Sequence, residues 1–372
     1  MPPLSVAAAQ PPLGALLEAA HVRATLPGHS VRWGAGWWLL AVGLLALATW
    51  AVAGGMAERP APRFVTVVLG AGGGPSQDDL SAYLLAPAGS GDFVALDAGT
   101  LLSGIRRAHA LGSFGSVRPP LDSPLAAEGW ILRHAVKAYL VSHAHLDHVA
   151  GLVIDSPEDA SKEILGLTAT IDRIRDHLFN WKVWPNFADE GEGTPLKKYR
   201  YVRLSPGQEH PIAGTGLTVE AFPLSHGGDV STAFLLRAGE SYVLYLGDTG
   251  PDAVERSDRM AAVWARVAPL VRDRRLRGIF LETSYPEGRP DTLLFGHLTP
   301  TWALRELRRL AELAGPSPSG HALRDLVVVV THVKPVLERG PITRDRIAKQ
   351  LGELNDLGVR FIVARQGQRI EF

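Results

Sequence analysis

Four side chains able to bind a metal fall within six residues, His143-Ala144-His145-Leu146-Asp147-His148, directly after the apolar run Tyr139-Leu140-Val141. Imidazoles this close repel one another once protonated, and with a carboxylate among them they are buried cheaply only around a coordinating cation. A solvated polar loop does not account for the pattern. In an extended segment leaving a strand, residues two apart point the same way, so His143 and His145 can grip one metal while Asp147 and His148 face a second. The stretch predicts metal-assisted chemistry.

Further ligand types recur where strands should end: Phe222-Pro223-Leu224-Ser225-His226-Gly227-Gly228, Gly247-Asp248-Thr249-Gly250 and Thr331-His332-Val333-Lys334-Pro335. Singly, a histidine is ordinarily structural and Gly-Asp is a common turn opener. Their recurrence as apolar strand followed by ligand predicts a functional role for His226, Asp248 and His332. The 372 residues include no cysteine, so any metal must be held by His, Asp, Glu and water. Such a set suits zinc, manganese and iron alike.

These ligands need a frame, and from Phe64 onward strand and helix signals alternate. Strands are predicted at residues 64–69, 83–85, 93–96, 217–222, 232–236, 242–246, 278–281, 326–330 and 359–363, and helices near residues 162–178, 253–271 and 301–314. The run Gly70-Ala71-Gly72-Gly73-Gly74 lacks both a Walker lysine and an opening helix, so it reads as backbone passing close to the metal site. The balanced formal charge and near-zero mean hydropathy suit one large or two ordinary globular domains. No basic excess points to nucleic acid.

The first 62 residues are different in kind. Residues 37–52 are almost continuously apolar, with Arg23 and Arg32 upstream and Ala51-Val52-Ala53 before Gly54-Gly55. This predicts a signal peptide cleaved after about Ala53, with an uncleaved N-terminal transmembrane anchor as the alternative. Arg59-Pro60-Ala61-Pro62-Arg63 reads as a linker. The expected organisation is a leader over residues 1–62 and an exported domain over residues 63–372, periplasmic, secreted or membrane-anchored.

The run from His143 through Val149-Ala150-Gly151-Leu152-Val153-Ile154-Asp155-Ser156-Pro157 resembles the signature of the class II 3′,5′-cyclic-nucleotide phosphodiesterases. The resemblance extends to Ala95-Leu96-Asp97-Ala98-Gly99-Thr100, Phe179-Asn180-Trp181 with Trp184-Pro185-Asn186-Phe187, Gly247-Asp248-Thr249-Gly250-Pro251-Asp252, Leu294-Phe295-Gly296-His297-Leu298-Thr299-Pro300 and Thr331-His332-Val333-Lys334-Pro335. It implies an α+β fold, the metallo-β-lactamase-like αββα sandwich. It also implies two divalent metal ions, with zinc foremost: one on His143, His145 and His226, the other on Asp147, His148 and His332, and Asp248 bridging them. The implied reaction is hydrolysis of 3′,5′-cyclic AMP, or cyclic GMP, to the nucleoside 5′-monophosphate by a hydroxide held between the metals. His297 would protonate the leaving 3′ oxygen with Glu282 orienting its ring, and Asp147 is counted with them among the reacting groups. Phe179 to Phe187 is either part of the core, as aromatic clusters ordinarily are, or a surface for the base, with Asn180 and Asn186 either on the purine edge or in turns. Lys334 is a candidate for phosphate or for a surface carboxylate. Another hydrolase on the same scaffold (RNA 3′-processing endonuclease, arylsulfatase or lactonase) and a non-catalytic cyclic-nucleotide-binding protein are the alternatives.

Overall fold

The computed structural model describes residues 63–316 and 320–372, so the predicted leader and its signal or anchor lie outside the described residues. The strands are β1 (Phe64–Gly70), β2 (Ala82–Pro87), β3 (Phe93–Leu96), β4 (Val136–Leu140), β5 (Lys162–Leu167), β6 (Tyr199–Leu204), β7 (His210–Ile212), β8 (Leu217–His226), β9 (Asp229–Ala238), β10 (Ser241–Leu246), β11 (Leu276–Glu282), β12 (Val327–Thr331), β13 (Arg360–Val363) and β14 (Arg369–Glu371). They form two seven-stranded sheets, ordered β14-β1-β2-β3-β4-β5-β6 and β13-β12-β11-β10-β9-β8-β7. Each is antiparallel on one side and parallel on the other, the parallel sets being β3 to β6 and β10 to β13.

Helices cover the outer faces: α1 (Leu102–Ala110), α2 (Leu146–Asp155) and α3 (Thr168–His177) on the first sheet, and α4 (Arg259–Arg272), α5 (Pro300–Ala314) and α6 (Thr343–Leu354) on the second. Between the sheets lies a third apolar layer that includes Leu140, Leu165, Phe234 and Val329. The rings of Tyr83, Tyr245 and Phe280 meet there at 5.6–5.9 Å. Strands covered on both faces have no polar side to present, which explains the continuous apolar text of β10 and β12. Each fully buried Leu or Phe contributes about 1.5–3 kcal/mol. The architecture is the expected αββα sandwich, and among the described residues no helix is long and apolar enough to cross a membrane.

Three local expectations need correction. The helix predicted over residues 162–178 begins only at Thr168, because Lys162–Leu167 is an interior strand paired on both edges, and burial of Ile164 and Leu165 outweighs helix propensity. The helix over residues 253–271 is broken at Arg256, whose φ is 54°. Asp252 turns its carboxylate onto the amides of Met260 and Ala261 (3.1 and 2.8 Å), which starts α4 as a separate helix. The metal-ligand stretch is extended only as far as His145, and α2 begins at Leu146.

Candidate metal centre

The parallel strands carry the site at their C-terminal ends. β4 runs into Ser142 and His143, β10 into Asp248, β11 ends on Glu282, and β12 runs into His332. His226 closes β8 at the tip of a hairpin, opposite Asp229. Gly227 and Gly228 both take positive φ there (59° and 88°), the conformation a two-residue turn requires. His145 is the extended residue before α2, so Asp147 and His148 project from its first turn. The glycine run does pass close by. Gly74 donates its amide to Asp147 Oδ2 at 2.9 Å, and a Cβ on Gly73 would lie 2.2 Å from the His332 ring.

The partners of the outer ring nitrogens fix the tautomers. His226 Nδ1 faces the carbonyl of Gly296 at 2.8 Å, and a carbonyl can only accept. His148 Nδ1 donates to Asp97 Oδ2 at 2.8 Å. His143 Nδ1 meets Ser142 Oγ at 3.0 Å and His332 Nδ1 meets Ser284 Oγ at 2.9 Å; each hydroxyl has its own carboxylate acceptor, Asp97 and Glu282. All four rings therefore hold a proton on Nδ1 and turn Nε2 inward. His145 points Nδ1 at His143 Nε2, 2.9 Å away.

The inward atoms converge on one carboxylate oxygen. Asp248 Oδ2 lies 3.1 Å from His332 Nε2, 3.2 Å from His148 Nε2, 3.9 Å from His226 Nε2 and 4.0 Å from His143 Nε2. His148 Nε2 is buried and makes no hydrogen bond of acceptable geometry, even to Asp248. A buried imidazole nitrogen left without a partner and aimed into a nest of ligands fits a metal. His143, His145 and His226 form one group of suitably close ligand atoms, Asp147, His148 and His332 another, and Asp248 closes a third with His143 and His148. The donor set of imidazole and carboxylate suits a divalent cation.

Comparison with known proteins agrees. Residues 63–367 match the family of class II cAMP phosphodiesterases. The chain belongs to that family. It is 44% identical over 310 residues to a 3′,5′-cyclic-nucleotide phosphodiesterase of Aliivibrio fischeri, covering 83% of this chain and 93% of that one. The solved structure of unliganded yeast PDE1 is similar at a TM-score of 0.70 and 25% identity, over 84% of this chain and all of the other. The metallo-beta-lactamase fold protein YhfI from Bacillus subtilis shares the fold at a TM-score of 0.53 and 17% identity, over 83% and 99% of the two chains.

In this class II phosphodiesterase, burial opposes a charge on His148, but the carboxylates of Asp248 and Asp97 outweigh it and raise its pKa well above the ordinary range. Burial makes other imidazoles poor bases for protons. It pushes the pKa of His143 well down, that of His332 down, and that of His297 down to about 3. Burial alone would push Asp248 up, but the imidazoles of His148 and His332 outweigh it and hold the carboxyl well below the usual range. Glu282, fully buried and near Asp248, is pushed up to about 7.

The structure brings all seven predicted metal ligands together and sets the predicted reacting groups beside them. His297 is buried, with Nδ1 2.8 Å from Glu282 Oε1 and 3.8 Å from Asp248 Oδ2. Its Nε2 receives Lys334 Nζ at 2.8 Å, and Lys334 has no carboxylate within ion-pair distance among the described residues. The segment from Phe179 to Phe187 is different. Phe179 is buried in the outer layer of the first sheet, and the side chains of Asn180 and Asn186 hold turns through Lys182, Val183, Ala188 and Glu190.

The sequence reading missed the residues behind the ligands. Asp97 accepts from the Ser142 amide (2.7 Å), the Ser142 hydroxyl (2.8 Å), Tyr245 Oη (2.6 Å) and His148, all from a left-handed backbone at φ 56°. Asp97 did stand in one of the segments that carry the family resemblance, Ala95-Leu96-Asp97-Ala98-Gly99-Thr100, at the end of an apolar strand, but no role was read for it. Ser284, which orients His332, had no such signal.

Proposed function

We propose that this phosphodiesterase hydrolyses 3′,5′-cyclic AMP, with cyclic GMP as a second substrate, to the nucleoside 5′-monophosphate at a two-cation centre. The observation that carries this reading is the single Asp248 oxygen shared by inward nitrogens from both ligand groups. His143, His145 and His226 would hold one cation, Asp147, His148 and His332 the other, and Asp248 both. Two divalent cations in these positions, zinc foremost, supply Lewis acidity toward phosphoryl oxygens and an activated water.

The chain's own groups do the rest. Lys334 is a half-buried ammonium beside the cluster, without a counter-ion among the described residues, and an anionic phosphodiester is a natural partner for it. Drawing the ammonium onto the phosphate would free His297 Nε2 and remove a charge that opposes its protonation, so that it could take a proton from solvent and pass it to the 3′ oxygen as the bond to phosphorus breaks. Glu282 keeps the ring oriented through Nδ1 and stabilises positive charge on it. The apolar run at residues 37–52 supports export of the enzyme, as a cleaved or an anchored form. A mature mass matching a cut near Ala53 would favour release, and a full-length mass in the membrane fraction would favour the anchor.

The test is hydrolysis of cyclic AMP by the purified metal-loaded chain, with chelated enzyme and His148→Ala as controls. Release of 5′-AMP that is lost in both controls supports the reading. Absence of turnover of cyclic AMP and cyclic GMP by fully metallated protein overturns it.

A further inference from the structure

Phe295 combines two features that folding alone disfavours. Its side chain is 59% exposed, and its backbone is left-handed at φ 52°, a conformation that bulky residues rarely adopt. Strain of this kind persists where the surroundings enforce it, and it collects at functional sites. Two of the other left-handed non-glycine residues, Asp97 and His332, already belong to the metal centre.

The surroundings of Phe295 are the metal centre itself. The next residue, Gly296, gives its carbonyl to His226 Nδ1, and a Cβ there would lie 2.2 Å from the Gly227 amide, so the loop is pressed against the His226 turn. One residue further on is His297. Beyond His297 stands Tyr285, ring to ring at 5.8 Å, and the guanidinium of Arg289 lies 4.0 Å from the Tyr285 ring centre and 5.7 Å from that of Phe295. Arg289 donates Nε to the Leu293 carbonyl at 2.5 Å and has no carboxylate partner among the described residues. The rim beside His226 and His297 thus offers an exposed aromatic ring with a planar cation over one side of it.

Trp181 provides the contrast. It too is exposed (49%) and left-handed, but its indole donates to the Thr194 carbonyl at 2.9 Å and its ring lies directly over Gly193. Trp181 is used up in holding its own loop. Phe295 is not.

We propose that Phe295 is the stacking platform for the nucleobase of the substrate, with Arg289 at the edge of the stacked ring. The inference rests on the cyclic-nucleotide reading above and adds the residues that recognise the base. An exposed aromatic face binds any purine, because every base has a π-face, so the platform would favour adenine and guanine substrates over a phosphodiester without a base.

The experiment compares full-length metal-loaded wild type, Phe295→Ala and Phe295→Trp on cyclic AMP and on a methyl ribofuranoside 3,5-cyclic phosphate, which lacks the base. Calorimetric binding of 5′-AMP and of ribose 5-phosphate gives a second readout. The platform predicts that Phe295→Ala lowers the preference for cyclic AMP over the baseless analogue on the order of tenfold, mainly through KM. Phe295→Trp should retain the preference, and 5′-AMP should lose affinity in Phe295→Ala while ribose 5-phosphate does not. An unchanged preference in Phe295→Ala overturns the platform while leaving the hydrolysis reading intact, as does an equal loss on both substrates, which would place Phe295 in support of the His226 loop. A wild type inactive on both substrates overturns the hydrolysis reading first, and the platform with it.

Discussion

His143 and His226 lean on neutral acceptors, a serine hydroxyl and a backbone carbonyl, whereas His148 leans on the buried carboxylate of Asp97. The third member of the first group, His145, has a side chain 49% exposed. In the second group Asp147 brings a charge of its own and is pinned by the Gly74 amide. Burial would push Asp147 up, yet His332 and His148 hold it below its ordinary range, fully ionised. One group is therefore all imidazole, with His145 exposed, and the other carries a carboxylate of its own. A carboxylate behind a ligating imidazole raises its basicity and fixes its ring, so the Asp147 half should grip its cation more tightly.

The sharpest way to break this comparison is to remove what the halves share. Asp248→Ala should abolish hydrolysis, by about a thousandfold or more, and deplete both cations, as metal analysis on dialysed protein would show; full retention of two equivalents would refute the shared role. Next in size, His145→Ala should lose one equivalent and keep the other. Chelator titration of the wild type should be correspondingly biphasic, and a single phase would mean that the halves are equivalent.

Behind the ligands the effects shrink. Asp97→Asn should lower metal affinity or activity roughly 10- to 100-fold, while Ser142→Ala, which removes a neutral contact, should cost less. The reverse ranking in metal-buffered assays would contradict the assignment of the tighter half.

The smallest expected effect is a slope of stability with pH. His297 in the folded chain is held down to about 3, and His143 and His332 are shifted in the same direction, against an ordinary 6.5. The unfolded chain then takes up protons first as pH falls, so this contribution is complete above about 6.5 and is lost toward 3. Glu282, raised to about 7 from 4.5, acts in the opposite sense between those values, and His148, which its carboxylate neighbours hold well above 6.5 against burial, acts in the opposite sense above 6.5. Three imidazoles set against these two groups, with protons also competing for the metal ligands, should leave a net loss on the acid side. Urea midpoints measured from pH 8 to pH 5 that stay flat or rise would contradict this balance.

The side chains that converge in the cluster were legible in the sequence because their chemistry is written in residue type, and an apolar run followed by His or Asp marks a strand end. The supports were not. Asp97 reaches His148 across 51 positions and Ser284 reaches His332 across 48, and no local pattern encodes such a pairing. The aromatic stretch left two readings open, core or a surface for the base, and only packing separated them: Phe179 lies in the outer layer and its neighbours hold their own turns, while a lone Phe295 is exposed beside His297.

The sequence by itself determined the family, the alternating strands, the absence of thiolate ligands and the identity of the seven metal-binding candidates, since each follows from residue type and short-range order. Tertiary structure decided the rest. It set which imidazole nitrogen faces inward, which carboxylate lies between the groups, that Lys334 rests on His297, and which aromatic ring is free. These depend on where separate strand ends and one hairpin tip meet when the two sheets pack, and that meeting is fixed by the apolar layer between them and not by any single segment.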